Sequence, residues 1–176
     1  MIYRYVGAPV PRLDARDKVS GRETYAADLR LPGMAVGAFL DSPYPHARIV
    51  SIDASEAERL PGVYCVLTQD DLTGGNLDPY HGPILRDQPI LAIGKVRFVG
   101  EPVAAVAAAD EHTAQEALEL IRVEYEELPA VLDARSGLAP GAPRVQDFEP
   151  DVVSLSGLKG VRVDTERNIC NLSELE

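Results

Sequence analysis

One stretch constrains this chain more than any other: KVRFVGEPVAAVAAAD, residues 95–110. Val96 and Phe98 stand among charged or small neighbours in the manner of a strand with one buried face, and Gly100 and Pro102 then interrupt the ladder. Glu101 precedes proline and is pushed toward extended backbone angles, while Gly100 can take the positive φ that a sharp change of direction requires. A kink or bulge is therefore expected at this point. Residues 103–109 contain no polar side chain, which is the pattern of a strand covered on both faces. Alanine is a poor strand former, so its repetition marks a place where another layer comes very close. Asp110 is placed to cap a helix, with Thr113 an equally good start, and Ala114, Ala117, Leu118 and Ile121 fall on one helical stripe. From Ile121 the period changes to two, with Ile121, Val123 and Tyr125 alternating against Arg122, Glu124 and Glu126. The order is strand, kink, strand, helix, strand.

The rest of the chain supplies further short elements. Residues 1–17 carry Pro9, Pro11 and mixed charges without a sustained period and read as an extended N-terminal arm. Two turns, at Lys18-Val19-Ser20-Gly21 and Leu31-Pro32-Gly33, precede MAVGAFLDS, where both alternating sets are mainly apolar and a well-buried strand is expected. Ile49 to Asp53 is a second strand, Asp53 or Ser55 caps a short helix ending near Leu60, and Val63 to Leu67 is a third strand. Thr68 with Asp71 approximates a capping box, and Gly74 to Gln88 reads as a long exposed loop. From about Asp133 the segment punctuated by Gly137, Pro140, Gly141, Pro143 and Pro150 reads as a linker. Order returns near Gly160 to Leu172 and then stops, as in a polypeptide cut before its next domain. The domain is thus expected over residues 18–133 and the linker over 134–176.

Composition narrows the function classes. With 176 residues and 45% hydrophobic content the chain can bury one good core. Its 28 acidic against 17 basic side chains give a net charge of −11, which repels nucleic acid and anionic membranes. Cys65 and Cys170 show no metal-ligand or CxxC spacing, so a reducing, cytoplasmic setting is expected. No segment approaches the roughly 20 apolar residues that span a bilayer, and the N-terminus MIYRYVGAPVPRLD lacks the pattern of a secretory signal.

Candidate chemistry is sparse. His46, His81 and His112 have no ligand spacing and read as surface or loop histidines, so no metal site is expected. Glu101, beside a kink and a buried strand, is the one carboxylate with a catalytic argument; the simpler reading is a turn carboxylate that accepts backbone N–H groups or an arginine. Glu124, Glu126 and Glu127 read as a solvated face. No serine lies in a GxSxG elbow, and Gly74-Gly75 lacks the GK[ST] of a phosphate loop. Tyr44, Arg48 and Glu101 are candidates for an interface because they flank proline-rich turns. Gly100 and Pro102 are structural candidates.

Taken together, GAPVPRLDARDKVSGRETYAADLRLPGMAVGAFLDSPYPHARIVSID, LPGVYCVLTQDDL, KVRFVGEPVAAVAA and EALELIRVEYEELPAVLD resemble the N-terminal part of the molybdopterin-binding large subunit of molybdenum hydroxylases, the xanthine dehydrogenase and aldehyde oxidase family. The resemblance runs in order from about Gly7 to Asp133. It implies an α+β fold, the α/β-hammerhead, with mixed β-sheets, two main helices and extended terminal segments. It also implies an oxidoreductase that hydroxylates an aldehyde, purine, heterocycle or other small substrate. Molybdopterin would sit in later domains, and iron–sulfur clusters in partner domains or subunits. No catalytic, cofactor-binding or metal-binding residue carries over to this chain, which by the resemblance is inactive alone. Its expected partners are the remaining domains of the large subunit, iron–sulfur subunits and, as a further candidate, an FAD subunit; an isolated domain is also open to artificial homodimerisation. The alternative reading is a free-standing binding or subunit-assembly module with the same fold.

Overall fold

In the computed structural model, residues 7, 9–74, 78–82, 85–147, 151–152 and 162–172 are described. Residues 1–6 of the arm, Gly75 in the expected loop and residues 153–161 of the expected linker lie outside them. The chain divides into two compact units, Met1–Met34 and Ala35–Glu176. In the first, helix α1 spans Ala15–Val19, so the end of the arm is helical rather than extended. Asp14 holds that turn, pairing with Lys18 one turn along and with Arg12. A 3-10 turn follows at Ala26–Asp28, where the Asp28 carboxylate accepts the Tyr25 N–H at 2.9 Å.

The second unit carries strands β1 Val36–Asp41 and β2 Ala47–Asp53, helix α2 Ser55–Glu58, strand β3 Val63–Leu67 and helix α3 Gln69–Thr73. Short strands β4 Tyr80–His81, β5 Leu85–Arg86 and β6 Gln88–Pro89 occupy the segment expected as a loop. Then come β7 Lys95–Val96, β8 Pro102–Ala108, helix α4 Glu111–Leu120, β9 Arg122–Glu127, helix α5 Ala134–Gly137, and the strands β10 Asp151–Val152, β11 Arg162–Asp164 and β12 Ile169–Leu172.

Two three-stranded sheets organise these elements, in the orders β1-β8-β3 and β7-β2-β9. Every pairing described is antiparallel, a narrower arrangement than mixed sheets. Successive long strands alternate between the two: β1, β3 and β8 lie in one, and β2, β7 and β9 in the other. The kinked stretch is therefore a crossover. β7 ends at Val96, the chain turns through Gly100, and β8 enters the other sheet.

That crossover revises one expectation. Val96 is fully buried but Phe98 is 55% exposed, because the strand stops before Phe98 and the period of two no longer applies to it. Gly100 has φ of 88° and nothing near its missing Cβ, so glycine is needed there for its backbone angle rather than for space.

The sequence signals for the helices act as expected. Asp110 caps α4, accepting the Thr113 N–H at 2.8 Å, and Asp71 accepts the Thr68 N–H at 2.8 Å at the start of α3. Asp53 takes the Ser55 N–H at 3.0 Å ahead of α2. Ala114, Ala117 and Ile121 pack with Ala104, Val106 and Ala108 of β8 and Val66 of β3 in one apolar core. A smaller core joins Ala47, Ile49, Ala92, Val96 and Val103. β8 thus feeds both cores, and its alanines let α4 approach the sheet, as small side chains allow.

Candidate functional site

The candidate residues converge on the junction of two crossovers. The link from β1 to β2 runs through Ser42 and Tyr44, and the link from β7 to β8 runs through Gly100, Glu101 and Pro102. They are bonded backbone to backbone: Ser42 N–H donates to Glu101 O at 2.9 Å, and Gly100 N–H donates to Ser42 O at 2.8 Å. The Ser42 hydroxyl, itself 2% exposed, accepts the Tyr44 N–H at 3.0 Å and donates to Tyr44 O at 3.1 Å. Pro102 has no N–H to give and stands first in β8, a place where none is needed; its carbonyl accepts the Ala92 N–H at 2.7 Å.

Glu101 lies inside this junction, 4% exposed. One carboxylate oxygen accepts the Arg97 guanidinium at 2.9 Å and the other accepts the Arg97 backbone N–H. Arg97 also donates to Gln146 Oε1 at 2.9 Å and to Lys95 O at 3.2 Å. Both members of the pair are buried. This is the turn carboxylate of the simpler reading, with an arginine and a backbone N–H as its partners.

Tyr44 packs on Tyr125, with ring centroids 5.0 Å apart and planes tilted by 52°; desolvation by burial is the main force holding the Tyr125 phenol above its ordinary range. Arg48 does not join the junction. It faces Glu126 across β2 and β9 in an exposed pair, Nε to Oε2 3.0 Å, and Glu124 accepts the Ser51 hydroxyl at 3.0 Å. His81 and His112 are exposed, but His46 is 7% exposed and not a surface residue. Its Nδ1 lies 2.7 Å from Pro129 O; a carbonyl only accepts, so Nδ1 carries the proton.

Several residues of the site were not singled out from the sequence. Lys95 is buried, and its ammonium donates to Arg144 O at 2.9 Å and to Asp147 Oδ1 at 3.0 Å. Gln146 bridges Arg97 to Asp87 O, the latter at 3.0 Å. Asn168 accepts the Val145 N–H at 2.8 Å and donates to Gly137 O at 3.0 Å and Pro143 O at 2.9 Å. The described part of the expected linker is thus strapped to the crossover strand by polar contacts. The available signal was Lys95 and Arg97, two cations at alternate positions beside a buried run. An open cleft of about 380 Å³ lies between strap and sheet, lined by His46, Arg48, Lys95, Pro129, Arg144 and Asp147 among others.

Among the described residues, no three His, Cys, Asp or Glu side chains come together as metal ligands. The buried charges at the crossover are matched inside the chain, which leaves no donor set that fits a molybdopterin group, and no step is derived through one.

The sequence model of the "Aldehyde oxidase and xanthine dehydrogenase, a/b hammerhead domain" family matches residues 20–129. The chain belongs to this family. Its hammerhead domain is 45% identical over 136 residues to a probable xanthine dehydrogenase chain of Bacillus subtilis, covering 77% of this chain and 18% of that one. Among solved structures it is similar to the CO dehydrogenase of Oligotropha carboxidovorans, with TM-score 0.71, 42% identity and coverage of 78% of this chain and 17% of that chain. It is also similar to quinoline 2-oxidoreductase from Pseudomonas putida 86, with TM-score 0.69, 42% identity and coverage of 82% and 19%. The chain therefore spans less than a fifth of the length of these relatives. Among the described residues, no helix of the hammerhead domain is long and apolar enough to cross a membrane.

Proposed function

We propose that this chain is the N-terminal scaffold domain of a molybdenum hydroxylase large subunit and is inactive alone. The observation that carries this reading is the match of the hammerhead family over residues 20–129 in relatives several times longer. The crossover supports it: its one catalytically plausible carboxylate, Glu101, is bonded to Arg97 on both oxygens. In this reading the domain extends over residues 18–133. Molybdopterin is held by the rest of the large subunit, and iron–sulfur and FAD subunits are the partners in a cytoplasmic enzyme. The substrate is an aldehyde, a purine, an aromatic heterocycle or another small molecule; the names of the relatives differ on this point, with xanthine, CO and quinoline among them.

The test is to express the chain alone in a host that makes the molybdenum cofactor. The expected product unfolds cooperatively, contains no stoichiometric molybdenum by mass spectrometry and reduces no dye with aldehyde, hypoxanthine or quinoline. Turnover by the isolated chain, lost in Glu101→Gln, would overturn the reading.

A further inference from the structure

The sheet β1-β8-β3 has helix α4 on one face only. Val36, Ala38 and Leu40 of β1, Ala104, Val106 and Ala108 of β8, and Val66 of β3 pack with the helices. The register fixes what stands on the opposite face, because residues directly across a ladder share a face. Phe39 and Leu67 both stand opposite Ala105, and Cys65 and Gly37 both stand opposite Ala107. Phe39 is 58% and Leu67 42% exposed, and Cys65 is exposed too. None of these six positions carries a charge.

This face is at odds with its own sequence pattern. A strand with one wet face alternates apolar with polar residues, whereas β8 is apolar at every position, as strands covered on both faces are. Its centre is built from glycine, alanine and cysteine, flanked by Phe39 and Leu67, a shape that lets a second layer sit close.

We propose that this outer face of β1-β8-β3 is a docking surface for an apolar layer contributed by the rest of the large-subunit polypeptide. The inference rests on the domain reading above and names the contact through which the scaffold works. Relatives carry more than four-fifths of their chain outside the matched region, which covers 17% and 19% of two of them, so the cover is available in the same polypeptide. A second copy is disfavoured, because two chains of charge −11 repel.

Cys65 is a built-in probe of this face. Its alkylation by iodoacetamide, followed peptide by peptide by mass spectrometry, is compared between the isolated chain and a full-length large subunit carrying this domain. Docking slows Cys65 alkylation about tenfold or more in the full-length protein, while oxidative footprinting of Val50, exposed on the other sheet, is unchanged. A companion variant, Phe39→Ser with Leu67→Ser, shifts the melting temperature of the isolated chain by less than about 2 °C and lowers that of the full-length protein by more. Equal Cys65 rates in an active full-length enzyme overturn the inference and leave the domain reading standing. Protection that appears only in the isolated chain and rises with its concentration assigns the face to a second copy and overturns it as well.

Discussion

Arg97 and Glu101 are both withdrawn from water, and their pairing is what makes the crossover tolerable. Each buried ion gives up several kcal/mol of hydration, which close contact and further hydrogen bonds must offset; both carboxylate oxygens are used, and Arg97 reaches three acceptors. Glu101→Ala leaves the guanidinium buried without its counter-charge, so urea unfolding should show a loss of about 3–5 kcal/mol. The capping aspartates act differently because they are exposed. The Thr113 backbone N–H, first, and its hydroxyl hold the Asp110 carboxyl below its ordinary value of 3.8, and Ser136 does the same for Asp133. A carboxyl depressed by folding stabilises the fold above its unfolded value and loses that contribution as pH falls through the folded one. Melting temperature should therefore drop as pH is lowered below 3.8, and Asp110→Asn, which still caps, should flatten part of that drop in thermal melts.

At the scale of elements, helix α4 and strand β8 meet through alanines. Ala104, Ala108, Ala114 and Ala117 are fully buried, so the space between helix and sheet is set by side chains of one carbon. Ala117→Leu overfills it and should cost about 1–3 kcal/mol in chemical denaturation. The strap is held otherwise, by Lys95, Arg97 and Asn168 contacts to residues 143–147. Removing two of its anchors with Gln146→Ala and Asp147→Ala should speed amide exchange of the strap about tenfold while leaving β8 protected. This contrast explains what the sequence could tell. Asp110, Asp53 and Thr68 announce their helices through local capping chemistry, and the alanine run announces close packing through periodicity. The strap is carried by long-range polar contacts, Lys95 to Asp147 and Arg97 to Gln146, which leave no period to read. Its glycines and prolines therefore resemble those of a free linker. The burial of His46 is hidden for the same reason, since its partner Pro129 is 83 residues away.

For the whole molecule, two sheets joined by repeated crossovers form a body in which the charged groups nearest the kink serve the fold. Nothing local marks which residues of the two apolar sets in β1 would be covered, because the outer face of its sheet is the part that meets what lies beyond this chain. The central claim, that Glu101 is a structural residue in a scaffold domain, is tested most directly by Glu101→Gln in a full-length large subunit loaded with its cofactor. Melting temperature and kcat/KM are measured on the same preparation, well below the melting transition. A scaffold role predicts a lower melting temperature with kcat/KM within about twofold of the parent. A fall of kcat by about a hundredfold or more with melting temperature unchanged would contradict it and make Glu101 part of the chemistry.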